Sequence, residues 1–315
     1  MSVSTSFQIV VLAGGTSTER AVSLGSGRAC AEALARRYPT RLVDVTSETL
    51  PTGLDRDRDL VFSTLHGTFG EDGQMQQLLE DAGIVFAGCD AASSALTFDK
   101  AHTKLRAIDA GLRVPAGRSF SASQKPGLET LVESLGEQIV FKPLCGGSSV
   151  GLSVCPDPAA VETALARISE GDWLAEARVI GREVTVGVVG NQAMPVVEIA
   201  PKSGVFDYTA KYTKGQTEYL APAPLPTEVA AALQADALTL YRNCGCRDYA
   251  RIDFIITSAF DRFLLEINTL PGMKETSLLP MGAHCAGMDF TTLVDEMITP
   301  AKQRWLQRSR KAESV

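Results

Sequence analysis

The sequence predicts a protein that combines an α/β part with an α+β part, and three features lead to this prediction. First, an apolar run over residues 7–13 ends in two glycines and precedes helically spaced apolar residues over 23–37, an order typical of α/β units. Second, a glycine-rich run over 145–151 separates two strand-like segments, which indicates a hairpin. Third, the apolar segments 249–256 and 263–267 follow each other closely and predict an antiparallel pair.

The size and composition of the chain narrow its class. Its 315 residues are 45 % hydrophobic and 21 % charged, which is enough apolar material for a buried core in two or three units. The net charge of −7 and the lack of basic blocks argue against nucleic acid as a partner. No apolar run approaches the roughly 18 residues of a membrane-spanning helix, so we expect no membrane partner.

Two further features predict a cytoplasmic protein. Residues 1–6 contain no basic residue ahead of an apolar stretch and so do not resemble a secretory signal. The seven cysteines include no CxxC pair, which is typical of reduced thiols in a chain of this length. Cys244 and Cys246 are close in sequence, but none of the three histidines is near them. We interpret them as incidental thiols rather than metal ligands.

Residues 1–93 are predicted to form a small, mostly parallel sheet. After the first strand and helix, apolar runs over 60–65 and 84–87 predict two more strands, and 75–82 predicts the helix between them. Strands that alternate with helices in this way form the doubly covered parallel sheets of α/β proteins.

Residues 94–181 are predicted to form an α+β unit with hairpins. A helix is expected over 92–110, carrying Asp99 and Lys100. The remaining elements are strands over 138–143, 152–155 and 173–177 and a helix over 159–168.

Residues 182–315 are predicted to contain strands flanked by two amphipathic helices. The predicted strands begin at 183 and continue over 193–200, 249–256 and 263–267, and the helices cover 227–243 and 290–298. Pro300 is expected to end the last helix, because proline lacks the backbone N–H that a helix interior uses.

The glycine-rich run is a candidate phosphate-binding loop. Gly146-Gly-Ser-Ser-Val-Gly151 follows Lys142 by four residues. Glycines let backbone N–H groups approach phosphate oxygens, hydroxyls add donors, and the lysine supplies a positive charge. The run matches neither the P-loop pattern nor the dinucleotide fingerprint. A plain glycine hairpin is an equally good interpretation of this run taken alone.

Polar residues on the last strand pair form a candidate cation site. Side chains alternate along a strand, so Arg251 and Asp253 share one face of their strand, and Glu266 and Asn268 also share one face of theirs. Two adjacent antiparallel strands bring Asp253, Glu266 and Asn268 towards one point. Such hard oxygen ligands, with room for phosphates, suit Mg²⁺. The alternative is a solvated face of an amphipathic hairpin, although both strands are otherwise strongly apolar.

Three more segments are candidates for substrate contacts. His66 and Glu19 each follow a strand, where open α/β sheets bind ligands, and a carboxylate there could hold an ammonium group. A structural histidine and a helix N-terminal acid are the alternatives. The polar, aromatic stretch 206–212 is a candidate lid over reactive phosphates, with an ordinary surface loop as its alternative.

Taken together, these motifs resemble those of the D-alanine–D-alanine ligase family, which belongs to the ATP-grasp enzymes. The resemblance covers about residues 9–299, and it is carried by the stretches 14–24, 65–73, 99–104, 142–151, 206–212, 219–224, 251–253 and 266–273.

This resemblance implies an ATP-grasp fold with an N-terminal Rossmann-like (pre-ATP-grasp) α/β domain over 1–93. A central ATP-grasp subdomain over 94–181 and a C-terminal one over 182–315, which holds the Mg²⁺ and substrate sites, would follow. It implies ATP-dependent joining of two D-alanine molecules through an acyl phosphate, for peptidoglycan precursor synthesis. It also implies a homodimer.

The resemblance implies a role for each matching residue. ATP binding is implied for Lys100, Lys142, Ser148, Ser149, Glu176, Glu183 and Lys211. Two Mg²⁺ ions, with Mn²⁺ as a substitute, are implied at Asp253, Glu266 and Asn268. Substrate binding is implied for Glu19, His66, Lys211, Ser277 and Leu278. Catalytic roles are implied for Glu19, Ser148, Tyr212, Arg251, Gly272 and Ser277, in which Arg251 and the Gly272 N–H stabilise a tetrahedral oxyanion.

The chain departs from the family pattern at four places. Gly146 replaces the usual Glu, Cys145 beside it is unusual, and Ala177 stands where Lys often follows the adenine-end Glu. Lys274-Glu-Thr276 replaces Thr-Ser-His and leaves the acceptor open.

Two alternatives therefore stay beside the main prediction. One is a ligase that joins D-alanine to a different D-amino acid, or a specialised copy in an antibiotic or resistance pathway. The other is a nucleotide-binding protein without catalysis, which is disfavoured because Arg251 and the candidate metal ligands are all present.

Overall fold

Three β-sheets organise the part of the chain that the structure describes. The structure is a computed structural model that describes residues 7–147, 150–202, 204, 213 and 215–313, with side chains as far as 310. The sheets contain four, four and six strands and fall inside the three units expected from the sequence, whose boundaries stay a prediction. In the described part of the chain, none of the helices is both long and apolar enough to cross a membrane.

The first sheet, which was predicted to be mostly parallel, is parallel throughout, with strand order β2-β1-β3-β4. Its strands are β1 (Gln8–Gly14), β2 (Thr40–Val45), β3 (Asp59–Ser63) and β4 (Val85–Ala87). Helices α1 (Arg20–Ala35) and α2 (Gln74–Asp81) connect them. Strand β2 was not predicted from the sequence, because three of its six residues are polar and it lies at the sheet edge.

Alternate residues of β1 enter two different cores, one on each face of the first sheet. Ile9 and Val11 pack with Leu34 of α1, whereas Val10 and Leu12 pack with Met75 of α2. All four β1 side chains are fully buried, which explains the continuous apolar run that identified this strand in the sequence.

Two helices replace the single helix expected over 92–110. They are α3 (Ala91–Phe98) and α4 (Lys100–Asp109), and Asp99 between them is extended, with φ −85° and ψ 112°. The Asp99 carboxylate accepts the backbone N–H groups of Ala101 and His102 at 2.8 and 3.0 Å, so Asp99 caps α4 instead of lying within a helix.

The second sheet is antiparallel, with strand order β5-β8-β6-β7. Its strands are β5 (Gly117–Ser121), β6 (Ile139–Pro143), β7 (Ser153–Cys155) and β8 (Asp172–Ala177), and its helices are α5 (Leu128–Leu135) and α6 (Pro158–Arg167). Strands β6 and β7 pair on either side of the glycine-rich run, which confirms that the run lies in a hairpin connection.

The third sheet is also antiparallel, with strand order β12-β11-β9-β13-β14 and a short β10 paired to β9. Its strands are β9 (Arg182–Val189), β10 (Gln192–Ala193), β11 (Val197–Pro201), β12 (Thr217–Leu220), β13 (Tyr249–Ile256) and β14 (Arg262–Asn268). Helix α7 (Thr227–Asn243) covers one face with Leu233, Ala237 and Leu240, as its amphipathic spacing predicted.

Two C-terminal helices return to the first sheet. Helices α8 (Leu278–Cys285) and α9 (Phe290–Glu313) add Leu279, Met297 and Trp305 to the core that contains Ile9. The beginning and the end of the chain therefore share one hydrophobic core.

The expectation that Pro300 ends the last helix is wrong, because α9 continues through it to residue 313. A proline inside a helix costs about 3 kcal/mol. Ile298 and Ala301 on either side of it are fully buried, and a buried large aliphatic side chain contributes about 1.5–3 kcal/mol. Burial along this helix therefore outweighs the loss of one hydrogen bond.

Candidate active site

A cavity of about 400 Å³ lies between the second and third sheets. Among the described residues, seven have an implied role in binding ATP or Mg²⁺, and all of them except Asn268 line this cavity. The six that line it are Lys100, Lys142, Glu176, Glu183, Asp253 and Glu266. We refer to it as the nucleotide cavity. Since β6 and β8 supply one wall and β9, β13 and β14 the other, residues far apart in sequence meet there.

Glu176 stands at the end of this cavity between two lysines. Its carboxylate oxygens lie 2.5 Å from Lys142 Nζ and 2.5 Å from Lys104 Nζ, and all three side chains are buried or nearly so. Burial would raise the pKa of Glu176, but the two ammonium groups outweigh burial and hold that pKa below its ordinary value. Burial and repulsion from Lys142 lower the pKa of Lys104 to about 8.

Lys100 reaches the cavity from the first turn of α4. Its Nζ donates to the Gly146 carbonyl at 2.7 Å and lies 3.9 Å from a Glu266 oxygen. The backbone N–H of Lys100 donates to Leu144 O at 3.1 Å, and a β-bridge joins Asp99 to Cys145. The cap at Asp99 thus fixes the lysine against the start of the glycine-rich run.

The register of β13 and β14 brings the candidate cation ligands together. Asp253 is paired with Glu266, and Arg251 is paired with Asn268. Arg251 donates to both Asp253 oxygens at 2.9 and 2.7 Å, and Asn268 Nδ2 donates to Asp253 Oδ2 at 3.0 Å. Thr185 Oγ1 on β9 donates to the same carboxylate at 2.6 Å. The interpretation of this face as a merely solvated one does not fit, because Asp253 and Thr185 are buried.

A second cavity, of about 320 Å³, opens where the first sheet meets the third. It is lined by all the described residues for which amino-acid binding or oxyanion stabilisation was implied: Glu19, His66, Arg251, Gly272, Ser277 and Leu278. We refer to it as the substrate cavity. Gly147 lines both cavities, so the glycine-rich run lies at their junction.

Glu19 connects the first unit to that junction. It is the N-cap residue of α1, but its side chain does not cap the helix. Its Oε2 lies 3.1 Å from where a Cβ on Gly147 would be, and 3.3 Å from where a Cβ on Gly67 would be. A side chain at either position would therefore crowd this carboxylate, and the φ of +73° at Gly67 also favours glycine there.

His66 is neutral in this cavity at physiological pH. Burial and the positive charge of Arg251 lower its pKa to about 4, although backbone groups of Leu270 and Leu65 act in the opposite direction. Its Nε2 is buried and has no hydrogen-bond partner within the described residues. The neutral side chain can therefore form a hydrogen bond with a substrate without adding a charge to the cavity.

Glu71 is a second unusual carboxyl group in the substrate cavity. Burial and the nearby Glu19 raise its pKa to about 8, and the Gly67 N–H, which donates to Glu71 Oε2 at 2.7 Å, lowers it only in part. Glu71 is therefore mostly protonated at pH 7.

The loop before α8 is anchored to α1. The Met273 N–H donates to Ser26 Oγ at 3.1 Å, the Lys274 N–H donates to Ser277 Oγ at 3.0 Å, and the Ser277 N–H donates to Lys274 O at 2.7 Å. These bonds hold the loop from Gly272 to Ser277 along one side of the substrate cavity.

Neither Lys104 nor Glu71 was assigned a role from the sequence. Lys104 lies one helical turn after Lys100, and this spacing could have indicated a second lysine on the same face of α4. Glu71 had no comparable signal, because its raised pKa comes from burial and from Glu19, which is 52 positions away in sequence. Ser148, Ser149, Lys211 and Tyr212 lie outside the described residues.

The architecture of the chain is that of the ATP-grasp ligases. Solved structures with closely similar folds include a D-alanine–D-alanine ligase from Bacillus anthracis complexed with ATP (TM-score 0.84, 25 % identity, 96 % of this chain and 100 % of that one). They also include the VanG D-Ala:D-Ser ligase from Enterococcus faecalis (TM-score 0.82, 29 % identity, 94 % and 99 % of the two chains).

Sequence comparison defines the family. A family profile described as the D-ala D-ala ligase C-terminus matches residues 112–299. A D-alanine–D-alanine ligase from Methylacidiphilum infernorum is 40 % identical over 300 residues, which cover 94 % of this chain and 96 % of that protein. The chain belongs to the D-alanine–D-alanine ligase family, which confirms the resemblance inferred from its motifs.

Proposed function

We propose that the protein joins two D-alanine molecules to D-alanyl-D-alanine at the expense of ATP, through an acyl phosphate, for peptidoglycan precursor synthesis. The observation that carries the proposal is the pair of cavities that meet at Gly147. One cavity is lined by lysines suited to phosphates, and the other by groups suited to an ammonium group, a carboxylate and an oxyanion. A phosphoryl group could pass from one to the other at that junction.

The first half-reaction uses residues of both cavities. The Glu19 carboxylate holds the ammonium group of the first D-alanine, and neutral His66 lies beside its carboxylate. An oxygen of that carboxylate attacks the γ-phosphorus of ATP, the bond to the β-phosphate oxygen breaks, and ADP leaves. Lys100 and Lys142 bind the phosphates and neutralise their charge, with Glu176 and Glu183 at the adenosine end.

The second half-reaction takes place in the substrate cavity. The amine of the second D-alanine attacks the acyl carbon, and the tetrahedral oxyanion is stabilised by Arg251 and the Gly272 N–H. Inorganic phosphate then leaves and takes up the proton that the attacking nitrogen loses as the amide forms. Although burial acts in the opposite direction, Asp253 raises the pKa of Arg251 further, so Arg251 stays a cation throughout. Ser277 receives the carboxylate of the second D-alanine.

The donor set on β13 and β14 fits Mg²⁺. Among the described residues, no group of three or more His, Cys, Asp and Glu side chains could hold a metal by itself. Asp253, Glu266 and the Asn268 amide therefore supply only part of a coordination shell, as is usual where substrate phosphates complete it. When bound, two Mg²⁺ ions, or Mn²⁺ in their place, would neutralise charge on the transferred phosphoryl group.

Four residues with an implied role lie outside the described part of the chain. We propose that Ser148 and Tyr212 form hydrogen bonds with Glu19 as the 206–212 segment closes, and that Lys211 and Ser149 contact phosphates. Exclusion of water would protect the acyl phosphate from hydrolysis.

We further propose that the protein acts in the cytoplasm as a homodimer with small-molecule substrates only. All seven cysteines are unpaired thiols, which supports a reducing compartment. Sedimentation equilibrium of the purified full chain would give the mass of the assembly, and a mass near 33.6 kDa would contradict the dimer.

Phosphate release in the presence of Mg·ATP tests the activity. The panel contains single D- and L-amino acids, D-lactate, and pairs of D-alanine with each other acceptor. Phosphate release with D-alanine alone, with the dipeptide identified by mass spectrometry, is expected. Release only with a mixed pair would instead support a ligase for another acceptor. No release with any substrate would contradict the catalytic assignment.

A matched pair of variants tests the cation ligands. Glu266→Gln removes a charged ligand and is expected to abolish most ATP turnover, because an amide is a weaker ligand for Mg²⁺ than a carboxylate. Glu129→Gln makes the same chemical change on the exposed face of α5 and should leave turnover unaltered. Full turnover by Glu266→Gln would show that the metal assignment is wrong.

A further inference from the structure

Lys274 occupies an unusual position in the wall of the substrate cavity. It lines the cavity together with Thr276 and Ser277, in the segment where the chain departs from its family pattern. Its side chain crosses α1 at Gly25. A Cβ on Gly25 would lie 2.6 Å from Lys274 Cε and 3.3 Å from Lys274 Nζ. A side chain at residue 25 would therefore push the end of the lysine away from its present place on α1.

The backbone holds Lys274 next to Ser277. Two reciprocal hydrogen bonds join these residues, one from the Lys274 N–H to Ser277 Oγ and one from the Ser277 N–H to Lys274 O. The adjacent Met273 N–H is fixed to Ser26 Oγ on α1. Because both ends of this short loop are bonded, the lysine starts from a rigid point beside the residue assigned to the acceptor carboxylate.

Lys274 and Arg251 differ in whether their positive charge is already paired with a carboxylate of the described residues. These are the two strongly basic side chains among the described residues that line the substrate cavity. Arg251 is held by a bidentate pair with Asp253. The described residues give Lys274 Nζ no ion-pair partner. Lys274 is exposed at the edge of the cavity beside α1, so a substrate anion that enters from this side can reach its ammonium group.

We propose that Lys274 binds the α-carboxylate of the second, acceptor amino acid and makes this enzyme discriminate strongly against acceptors that lack that charge. The inference rests on the proposed function and deepens it, since it concerns acceptor recognition in the same cavity. Lys274 and Ser277 act together, one as a positive charge and the other as a hydrogen-bond donor. Glu275, which is exposed, repels a carboxylate that approaches outside this pair.

D-Alaninamide separates acceptor recognition from the rest of the reaction. It has an amine and can act as acceptor, but it has no carboxylate to phosphorylate and cannot act as the first substrate. The enzyme is given Mg·ATP with equal amounts of D-alanine and D-alaninamide, and mass spectrometry measures the ratio of D-alanyl-D-alanine to D-alanyl-D-alaninamide. Wild type should strongly favour the first product.

The variant Lys274→Met keeps most of the length of the side chain and removes its charge. The product ratio should fall at least about ten-fold, and KM for D-alanine as acceptor should rise by a similar factor, whereas KM for ATP should not change. Lys274→Arg should retain most of the discrimination. Lys125→Met, in the second unit, is the matched control and should leave the product ratio unchanged.

Gly25→Ala provides an independent test, because it displaces the lysine without removing its charge. It should lower the product ratio in the same direction as Lys274→Met, and thermal melting would show that the variant is folded. An unaltered product ratio in Lys274→Met would overturn the inference. If wild type forms no dipeptide at all, the proposed function itself fails, and that result is seen before any variant is compared.

Discussion

Replacement of Glu71 by glutamine tests whether this carboxyl group is neutral in the folded protein. Burial and Glu19 raise its pKa from the ordinary 4.5 to about 8. The amide of the new side chain would keep an oxygen for the Gly67 N–H, which now donates to Glu71 Oε2 at 2.7 Å. The substitution therefore removes the ability to ionise and leaves the principal hydrogen bond in place.

The sign and the size of the effect follow from proton linkage. The unfolded chain ionises Glu71 from about pH 4.5 upwards, but the folded protein does so only near pH 8. Between these values the unfolded state binds fewer protons, so the free energy of unfolding falls as pH rises. At 1.36 kcal/mol for each pKa unit, the difference between pH 6 and pH 8 is about 2 kcal/mol. In Glu71→Gln this decrease should be absent.

Urea denaturation of both proteins at about pH 6, 7 and 8 measures the effect. The free energy of unfolding of Glu71→Gln, relative to wild type, should rise by about 2 kcal/mol across this range, since other groups titrate alike in both proteins. Glu129→Gln is the control and should give a curve parallel to that of wild type. Parallel curves for Glu71→Gln as well would refute the reasoning.

Three other substitutions test separate parts of the site. Glu176→Gln leaves two buried ammonium groups without their shared carboxylate; urea denaturation should show a loss of about 3 kcal/mol, and KM for ATP should rise. Arg251→Lys cannot keep the bidentate pair with Asp253, so kcat should fall by about 10²-fold while near-UV circular dichroism is unaltered. Gly181→Ala would place a Cβ 2.2 Å from the Ile256 carbonyl oxygen and should lower stability by about 1–3 kcal/mol in thermal melts, unlike Gly127→Ala, where there is room.

Several elements could be predicted from the sequence because their signals are local. Helix α7 and strand β13 have the predicted bounds, and β1 differs by a single residue at each end. In each, the spacing of apolar residues reflects the face or faces that are buried. The pairing of Asp253 with Glu266 was also predictable, because two adjacent antiparallel strands leave few registers that bury their apolar residues.

Other elements were misjudged because packing decided them. Asp99 interrupts a helical pattern because its side chain caps α4, and Pro300 fails to interrupt one because its neighbours are buried in the core shared with the first sheet. Local propensity amounts to a few kcal/mol at most, and burial over several residues exceeds it.

The sequence by itself determined the classes of element, the family and the residues on which ATP-dependent ligation would depend, because these reside in short patterns and their order. Only the tertiary structure decided which charges face one another. Three interactions join segments that are distant in sequence: Lys104 with Glu176, the neutral Glu71 with Glu19, and the Lys274 side chain with Gly25. Electrostatic interactions depend on separation in space and on burial, and neither quantity can be read from spacing along the chain.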